Sequence, residues 1–238
     1  MVFLFGTSDP KVVAVCATLL RPGDVFLDVG ANYGTVGLLC HVAVGPRGFV
    51  HMFEPQPDLC RGIRASIESY DLRNIQVHEV ALLDRSAKLD LLRVTNHSGA
   101  ASLIHGATTE RVEQHGVAVR SVAEYVPPLI TGRPLGVKLD VEGAEPYLLP
   151  WFAQLPNTRF IAFECAHIAR ARDLLQACHA AGFRCFGLAK SVLLTRCVYL
   201  ESASQIGQYH DVVAVRVPAG CAFRRSYHVR QLASIAGG

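Results

Sequence analysis

The chain has 238 residues, half of them hydrophobic, and a formal net charge of +3. That length fits one domain with a large core, and the hydrophobic content excludes a disordered chain. The net charge is too small to indicate nucleic acid or a membrane surface as a partner.

Cysteine usage and the first residues indicate the compartment. The eight cysteines form no C-x-x-C pair, which excludes zinc-ribbon and thioredoxin-like sites. The opening MVFLFG is too short for the hydrophobic region of a signal peptide, and no apolar run approaches the roughly 20 residues of a membrane span. We therefore expect a cytoplasmic protein with reduced thiols and no membrane span.

In the first half of the chain, short apolar runs alternate with amphipathic stretches, which predicts parallel strands joined by helices. The first helix is marked by Asp9-Pro10, the pattern of an N-cap followed by the first helical residue. The predicted elements are a helix over 9–20, strands over 25–29, 49–53 and 75–81, and helices that begin after Gly34 and at Pro57.

The second half contains an irregular segment and then resumes the alternation. Residues 96–116 are rich in Ser, Thr, Gly and His without a clear period, and a loop of that length is predicted to be a lid. The chain ends in a basic stretch, predicted to be a solvated tail over 219–238. The predicted elements between them are strands over 136–141 and 160–164, a helix over 168–181, and strands over 183–188, 198–200 and 211–217, the last pair antiparallel at the sheet edge.

The segment Val25–Gly34, VFLDVGANYG, has the pattern of a strand that runs into a glycine turn and a helix. Such a turn lets the backbone approach a nucleotide-like cofactor, and an acid about 20 residues later, here Glu54, can bind its ribose. Asn32 replaces the second glycine of the dinucleotide fingerprint, and Asp28 disfavours a pyrophosphate. S-adenosylmethionine (SAM) is cationic and has no phosphate, so it is favoured over NAD(P).

Carboxylates end four of the predicted strands, and ligands bind at strand ends in a parallel sheet. These residues are Asp28, Glu54, Asp140 and Glu164. A buried carboxylate needs a partner, and Lys138, within the fourth core strand, is expected to pair with one of these acids.

The later strand ends suggest the chemistry, because Asp140 is followed by Glu142 and Glu145, and Glu164 by His167. Two hypotheses stay open. Either His167 or an acid among Asp140, Glu142 and Glu164 acts as the general base for a hydroxyl acceptor, or Asp140 and Glu164 hold Mg²⁺ through oxygen ligands.

Three motifs, DVGANYG, FEP and VKLDVEGAE, together resemble the FkbM family of SAM-dependent methyltransferases over about residues 24–164. The resemblance implies the α/β, Rossmann-like class I SAM-dependent methyltransferase fold, with a mostly parallel seven-stranded sheet, helices on both faces and an antiparallel edge strand. It implies a single domain, with a SAM-binding half over about 24–95 and an acceptor-side half over about 117–218. Ala123 stands where the family usually has an aspartate.

The resemblance also implies roles for individual residues. Glu54 would accept hydrogen bonds from both ribose hydroxyls, Pro55 and Gln56 would line the adenine together with Ala81, and Asp140 would face the cofactor. The residues implied around the methionine part of SAM are Asp28, Gly30, Ala31, Asn32, Tyr33, Gly34 and Thr35.

The implied activity is O-methylation of a hydroxyl on a sugar, a glycolipid or a natural-product small molecule. Two alternatives stay open: an NAD(P)-dependent Rossmann oxidoreductase, and a SAM-binding subunit without catalysis. Nucleic acid is not expected as the acceptor, because DVEG at Asp140–Gly143 differs from the Pro-Pro motif of amino-methylating DNA enzymes and no Pro-Cys pair occurs.

Overall fold

The computed structural model describes residues 10–94, 112–165, 171–189, 195–217 and 226–236 of the chain. His167, residues 96–111 of the predicted lid and the first part of the predicted tail lie outside the described residues.

Strands and helices alternate through most of the described chain, as the apolar periodicity predicts. The strands are β1 (Val25–Val29), β2 (Phe49–Phe53), β3 (Ile75–His78), β4 (Ala81–Leu83), β5 (Ala87–Val94), β6 (Val112–Ser121), β7 (Leu135–Leu139), β8 (Thr158–Glu164), β9 (Phe183–Ala189), β10 (Arg196–Tyr199), β11 (Asp211–Arg216) and β12 (Ser226–His228). The helices are α1 (Pro10–Leu19), α2 (Thr35–Val44), α3 (Pro57–Ser69), α4 (Val122–Tyr125), α5 (Pro127–Ile130), α6 (Glu145–Gln154), α7 (Ala171–Ala180) and α8 (Val229–Ile235), with a 3₁₀ helix at Ala203–Gln208.

The main sheet has the strand order β12-β10-β9-β11-β8-β7-β1-β2-β3. Strands β3, β2, β1, β7 and β8 run parallel, and β11 lies antiparallel between β8 and β9. The predicted Rossmann-like class I methyltransferase fold, a mostly parallel sheet with helices on both faces, is confirmed. The sheet has nine strands rather than seven, because β10 and β12 extend it beyond β9 through antiparallel pairing.

Three predictions about irregular or edge segments are wrong. Strand β11 lies inside the sheet and does not pair with β10, because β9 separates them. Residues 112–116 of the predicted lid belong to β6, which pairs with β4 and β5 in a separate three-stranded sheet. The predicted tail contains β12 and α8, in which Tyr227 and Leu232 are buried while Arg230 is exposed.

Alternate residues of each central strand face the two opposite cores. Val25 and Leu27 of β1 join the core beneath α4–α7, whereas Phe26 joins the core beneath α1, α2, α3 and α8. Asp28 therefore faces the same side as Phe26, and its register partner in β7, Lys138, lies beside it on that face. No helix among the described residues is both long and apolar enough to cross a bilayer.

Two buried histidines link β2 and β3 to α4 on the opposite face. His51 Nδ1 lies 3.0 Å from His78 Nε2, and His78 Nδ1 lies 3.2 Å from the hydroxyl of Tyr125. The pKa of both histidines is lowered to about 4 by burial, to which the neighbouring His78 adds in the case of His51. Both rings are therefore neutral at pH 7.

Protonation of this pair should destabilise the protein in mild acid. An unfolded histidine titrates near pH 6.5 and His78 near 4, so the stability of the neutral pair is complete above pH 6.5 and is lost as the pH falls towards 4. Relative to His78→Gln, we expect the wild-type free energy of unfolding to fall by about 2 kcal/mol between pH 6.5 and about 5. Urea titrations measure it, with the exposed His210→Gln as control; equal pH slopes for wild type and His78→Gln would contradict the expectation.

Candidate functional site

The glycine turn after β1 is in direct contact with the loop after β7. Gly30 has a φ of +76°, and a Cβ at this position would lie 1.8 Å from the carbonyl oxygen of Asp140, so only glycine fits. Asn32 has a φ of +51°, a left-handed conformation that asparagine adopts more readily than most other residues. The departure from the dinucleotide fingerprint therefore keeps the backbone conformation that the turn requires.

Glu54, at the end of β2, binds the backbone on both sides. Its Oε2 accepts the Asn32 N–H at 2.8 Å, and its Oε1 accepts the Gln56 N–H at 2.9 Å. The residue is only 3% exposed, and burial raises the pKa of its carboxyl group although these two hydrogen bonds oppose the shift. Glu54 thus orders the turn, and its predicted contact with a ribose would use the remaining acceptor positions of the carboxylate.

A buried lysine joins the two strand ends that flank the turn. Lys138 Nζ donates to the carbonyl oxygen of Gly30 at 2.6 Å, and lies 3.1 Å from Asp28 Oδ1 and 3.4 Å from Asp140 Oδ2. Asp28 Oδ2 accepts the Gly37 N–H of α2 at 2.8 Å. Burial alone would lower the pKa of Lys138, but the carboxylates of Asp28 and Asp140 outweigh it and raise the pKa above its ordinary value.

Only one carboxylate of this group is accessible. Asp28 is fully buried, and its charge is balanced by the ammonium of Lys138. The side chain of Asp140 is 44% exposed. The exposed negative charge of this group therefore comes from Asp140, whereas Asp28 is buried against Lys138.

Three carboxylates meet where β7 and β8 end. Oxygen atoms of Asp140, Glu142 and Glu164 all lie within 4.8 Å of one another. Burial, together with the charge of Asp140, raises the pKa of Glu164 to about 8 and that of Glu142 to about 7. Carboxyl groups with such values can accept and release a proton near neutral pH.

The third acid of the VKLDVEGAE motif, Glu145, has a structural role. It is 1% exposed, and its two oxygens accept the N–H groups of Val141 and Gly143 at 2.9 and 3.0 Å. Glu142 has a φ of +49° within this loop. Glu145 therefore holds the loop that carries Asp140 and Glu142.

Lys138, Asp140 and Glu164 line a cleft of about 510 Å³, measured out to the bulk solvent. It lies at the carboxyl ends of β1, β7 and β8, where the strand order reverses and where ligands bind in this kind of sheet. The sequence-predicted residues that line it are Ala31, Asn32, Tyr33, Thr35, Asp140 and Glu164.

Several predicted cofactor residues do not line this cleft, for reasons the contacts explain. Asp28 and Glu54 turn inwards to their hydrogen bonds, and Ala81 begins β4, where it packs with Ala144. The predicted residues absent from the lining are Asp28, Gly30, Gly34, Glu54, Pro55, Gln56, Ala81 and the base candidate Glu142. Their roles towards a cofactor stay predictions, as does that of His167.

Two residues of the cleft lining were not among the predicted site residues. Val12 of α1 and Asp211 of β11 line the cleft, and Asp211 forms an ion pair with Lys11. Because β11 is antiparallel, its first residue lies at the edge where its neighbours end, and Asp211 is the register partner of Glu164. The sequence signal that could have found Asp211 is an acid at the first position of a strand predicted to be antiparallel.

The carboxylate cluster also has the donors of a magnesium site. Mg²⁺ prefers oxygen ligands, and the predicted pair Asp140 and Glu164 belongs to the cluster. Asp140, however, lies 3.4 Å from the Lys138 ammonium, and this positive charge opposes a divalent cation on the same carboxylate.

Gly30→Ala tests the contact between the turn and the Asp140 loop. A methyl group there would overlap a backbone oxygen that cannot move without the strand, so we expect a loss of at least about 3 kcal/mol of stability in urea unfolding. Gly62→Ala is the matched control, because its Cβ would meet nothing within 4 Å in helix α3 and should stabilise by about 0.5–1 kcal/mol. Equal effects of the two substitutions would refute the packing.

No protein-family model matches the chain. A probable cobalt-precorrin-6B C(15)-methyltransferase (decarboxylating) from Sulfolobus acidocaldarius is 30% identical over 104 residues, which are 44% of this chain and 50% of that protein. The chain thus spans about half the length of this curated relative.

Two solved structures resemble the chain in three dimensions. The methyltransferase FkbM from Methylobacillus flagellatus KT is 12% identical with a TM-score of 0.49, covering 87% of this chain and 55% of that one. The precorrin-6y C5,15-methyltransferase from Geobacter metallireducens GS-15 is 9% identical with a TM-score of 0.47, covering 90% and 92%. Likenesses of this degree assign neither a family nor an activity.

Proposed function

We propose that the protein is a SAM-dependent methyltransferase that methylates a hydroxyl group on a sugar, a glycolipid or a natural-product small molecule. The observation that carries this proposal is the shared cleft, in which the turn from Ala31 to Thr35 lies opposite the carboxylates of Asp140 and Glu164. A cofactor on the turn and an acceptor near the carboxylates would then meet in one space. The relative from Sulfolobus acidocaldarius is also named as a methyltransferase.

The charge of the cleft supports SAM as the cofactor. SAM carries a sulfonium and an ammonium, and the accessible carboxylate of Asp140 would attract these cations. Glu164, whose pKa is raised to about 8, adds to this negative charge only as it ionises. The same charge opposes the pyrophosphate of NAD(P). The three motifs that resemble the FkbM family include the turn and the Asp140 loop, so the proposed family is FkbM.

The acceptor side supports a base-assisted transfer. A hydroxyl oxygen is a weak nucleophile while it is protonated, so removal of its proton by a base accelerates the transfer. Alignment of this oxygen with the methyl group is the second contribution to the rate. In the proposed step the acceptor oxygen bonds to the methyl carbon, the carbon–sulfur bond breaks, and its electron pair stays on sulfur. The acceptor proton passes to the Glu164 carboxylate, with Asp140, Glu142 and His167 as further candidates.

Three other functions remain to be separated from this one. The name of the Sulfolobus acidocaldarius relative favours methyl transfer to carbon, and the ¹³C chemical shift of a transferred labelled methyl group distinguishes a methyl ether from a C-methyl product. An NAD(P)-dependent oxidoreductase would bind NAD(P) instead of SAM, so cofactor binding separates it from a methyltransferase. A SAM-binding subunit without catalysis had only Ala123 in its favour, and that residue is exposed on α4, outside the cleft lining.

We also propose a reducing, cytoplasmic location and no nucleic-acid partner. The seven cysteines among the described residues are buried and form no disulfide, which supports a reducing compartment. The accessible acids of the cleft oppose a phosphate backbone.

Cofactor binding can be tested without knowing the acceptor. A ligand at 100 times its dissociation constant stabilises the folded state by about 2.7 kcal/mol, so SAM and S-adenosylhomocysteine should raise the melting temperature by several degrees, and NAD(P) should not. Glu54→Ala should remove most of that shift because the Asn32 and Gln56 amides lose their acceptor. The exposed Glu68→Ala is the control. A shift with NAD(P) alone would overturn the proposal.

Glu164→Gln tests the base. Only the ionised carboxylate accepts a proton, so wild-type activity should rise with pH and level off above about 8, the pKa to which burial and Asp140 raise this group. The substitution should lower kcat by about 100-fold or more and abolish the rise. Transfer of labelled methyl groups from SAM into hydroxylated acceptors is the assay.

The controls for that assay separate a base from a metal. The exposed Glu124→Gln should leave activity and its pH profile as in wild type, and EDTA should have no effect. Loss of activity in EDTA with recovery in Mg²⁺ would favour the magnesium hypothesis over the general-base hypothesis. An unchanged pH profile in Glu164→Gln would refute the role of Glu164 as the base.

A further inference from the structure

The buried ammonium of Lys138 contacts both sides of the cleft. If it only balanced Asp28, its closest contact would be that carboxylate. The hydrogen bond to the Gly30 carbonyl oxygen, at 2.6 Å, is shorter than the 3.1 Å to Asp28 Oδ1 and the 3.4 Å to Asp140 Oδ2. The closest contact of the ammonium is therefore with the glycine turn.

The position of the Gly30 peptide depends on its two neighbours. The N–H groups of Gly30 and Ala31 donate to the Phe53 carbonyl oxygen of β2, both at 3.0 Å, which holds one side of the turn. On the β7 side, the carbonyl oxygen of Gly30 accepts from Lys138. The backbone N–H of Asp140 donates to the carbonyl oxygen of Val29 at 3.1 Å, so the two strand ends are adjacent, and Lys138 is the side chain that bridges them.

We propose that Lys138 is a positioning residue, which fixes the turn at Gly30 relative to the acceptor-side carboxylate of Asp140 so that binding at the turn depends on its ammonium. The identity of the ligand rests on the proposed function, whereas the fixing of the turn does not. The raised pKa of Lys138, which follows from its two carboxylate neighbours despite its burial, keeps the ammonium charged at any physiological pH.

A matched control exists at the opposite end of the same sheet. Arg159, in the first part of β8, forms an ion pair with Asp24, just before β1, at 2.6 Å. Both side chains of this ion pair are largely shielded from solvent, Arg159 at 19% exposure and Asp24 at 5%. Removal of Arg159 thus disrupts a shielded ion pair between β8 and the residue before β1, at the opposite end of the strands from the turn.

The first test is calorimetric titration with S-adenosylhomocysteine. Lys138→Met should weaken binding by at least tenfold, while Arg159→Met should stay within twofold of wild type although both lower the melting temperature. The double variant Asp28→Asn with Lys138→Met leaves no unpaired buried charge, so it should recover melting temperature and still bind weakly. Recovery of both properties in the double variant would show that Lys138 only balances Asp28, and would overturn the proposal.

The second test needs no ligand. Hydrogen exchange of a peptide covering residues 29–36 in the unliganded protein should accelerate at least tenfold in the double variant and stay as in wild type in Arg159→Met. Unchanged exchange in the double variant would overturn the positioning role even if no cofactor binds. Accelerated exchange in a protein whose wild type binds neither SAM nor S-adenosylhomocysteine would instead support the positioning role and refute the proposed function.

Discussion

The ion pair between Asp28 and Lys138 is the interaction on which the arrangement of the cleft depends. The two residues are register partners on the central strands β1 and β7, where every other position is apolar or glycine. A charge buried there is stable only with its partner, and removal of one member of such a pair costs about 3–5 kcal/mol. Because Asp28 of the first strand is buried in this pair, the accessible negative charge is that of Asp140, at the end of the fourth core strand.

Two further carboxylates, Glu54 and Glu145, have parallel structural roles on the two sides of this pair. Each is almost completely buried, and each accepts two backbone N–H groups from a loop at a strand end. Glu54 orders the turn that leads from β1 into α2, and Glu145 orders the loop between β7 and α6. The loops at this edge are thereby held by two buried carboxylates, one of which, Glu54, is predicted from the sequence as a cofactor residue.

The local parts of the structure could be predicted from the sequence, whereas the parts set by distant pairing could not. The five-residue apolar runs at β1 and β2 and the glycine turn follow from short-range patterns, and their bounds agree with the structure. The polar first half of β6 shows no alternation of apolar and polar residues in its sequence. It is a strand because it pairs with β5, which a local pattern does not reveal. Likewise, the basic residues near Tyr227 and Leu232 led to the prediction of a solvated tail, although burial of these two side chains packs the last described strand and helix against the core.

The site shows the same division. Asp140 and Glu164 were predictable because each directly follows an apolar run. The partner of Lys138 could not be chosen from sequence, since only the β1–β7 register brings Asp28 beside it. Asp211 was missed because its place in the cleft depends on β11 lying beside β8, whereas the sequence reasoning paired that strand with residues 198–200.

The packing of α8 against α1 bears on the order in which the cleft is completed. Helix α1 can join α2 and the first strands early in synthesis, but the partner of its Lys11 is Asp211, about 200 residues further along the chain. The helix that covers α1 comes later still. The ion pair of Lys11 with Asp211 is therefore a contact of high sequence separation, which a growing chain can form only long after residues 30–35 of the glycine turn have been synthesised.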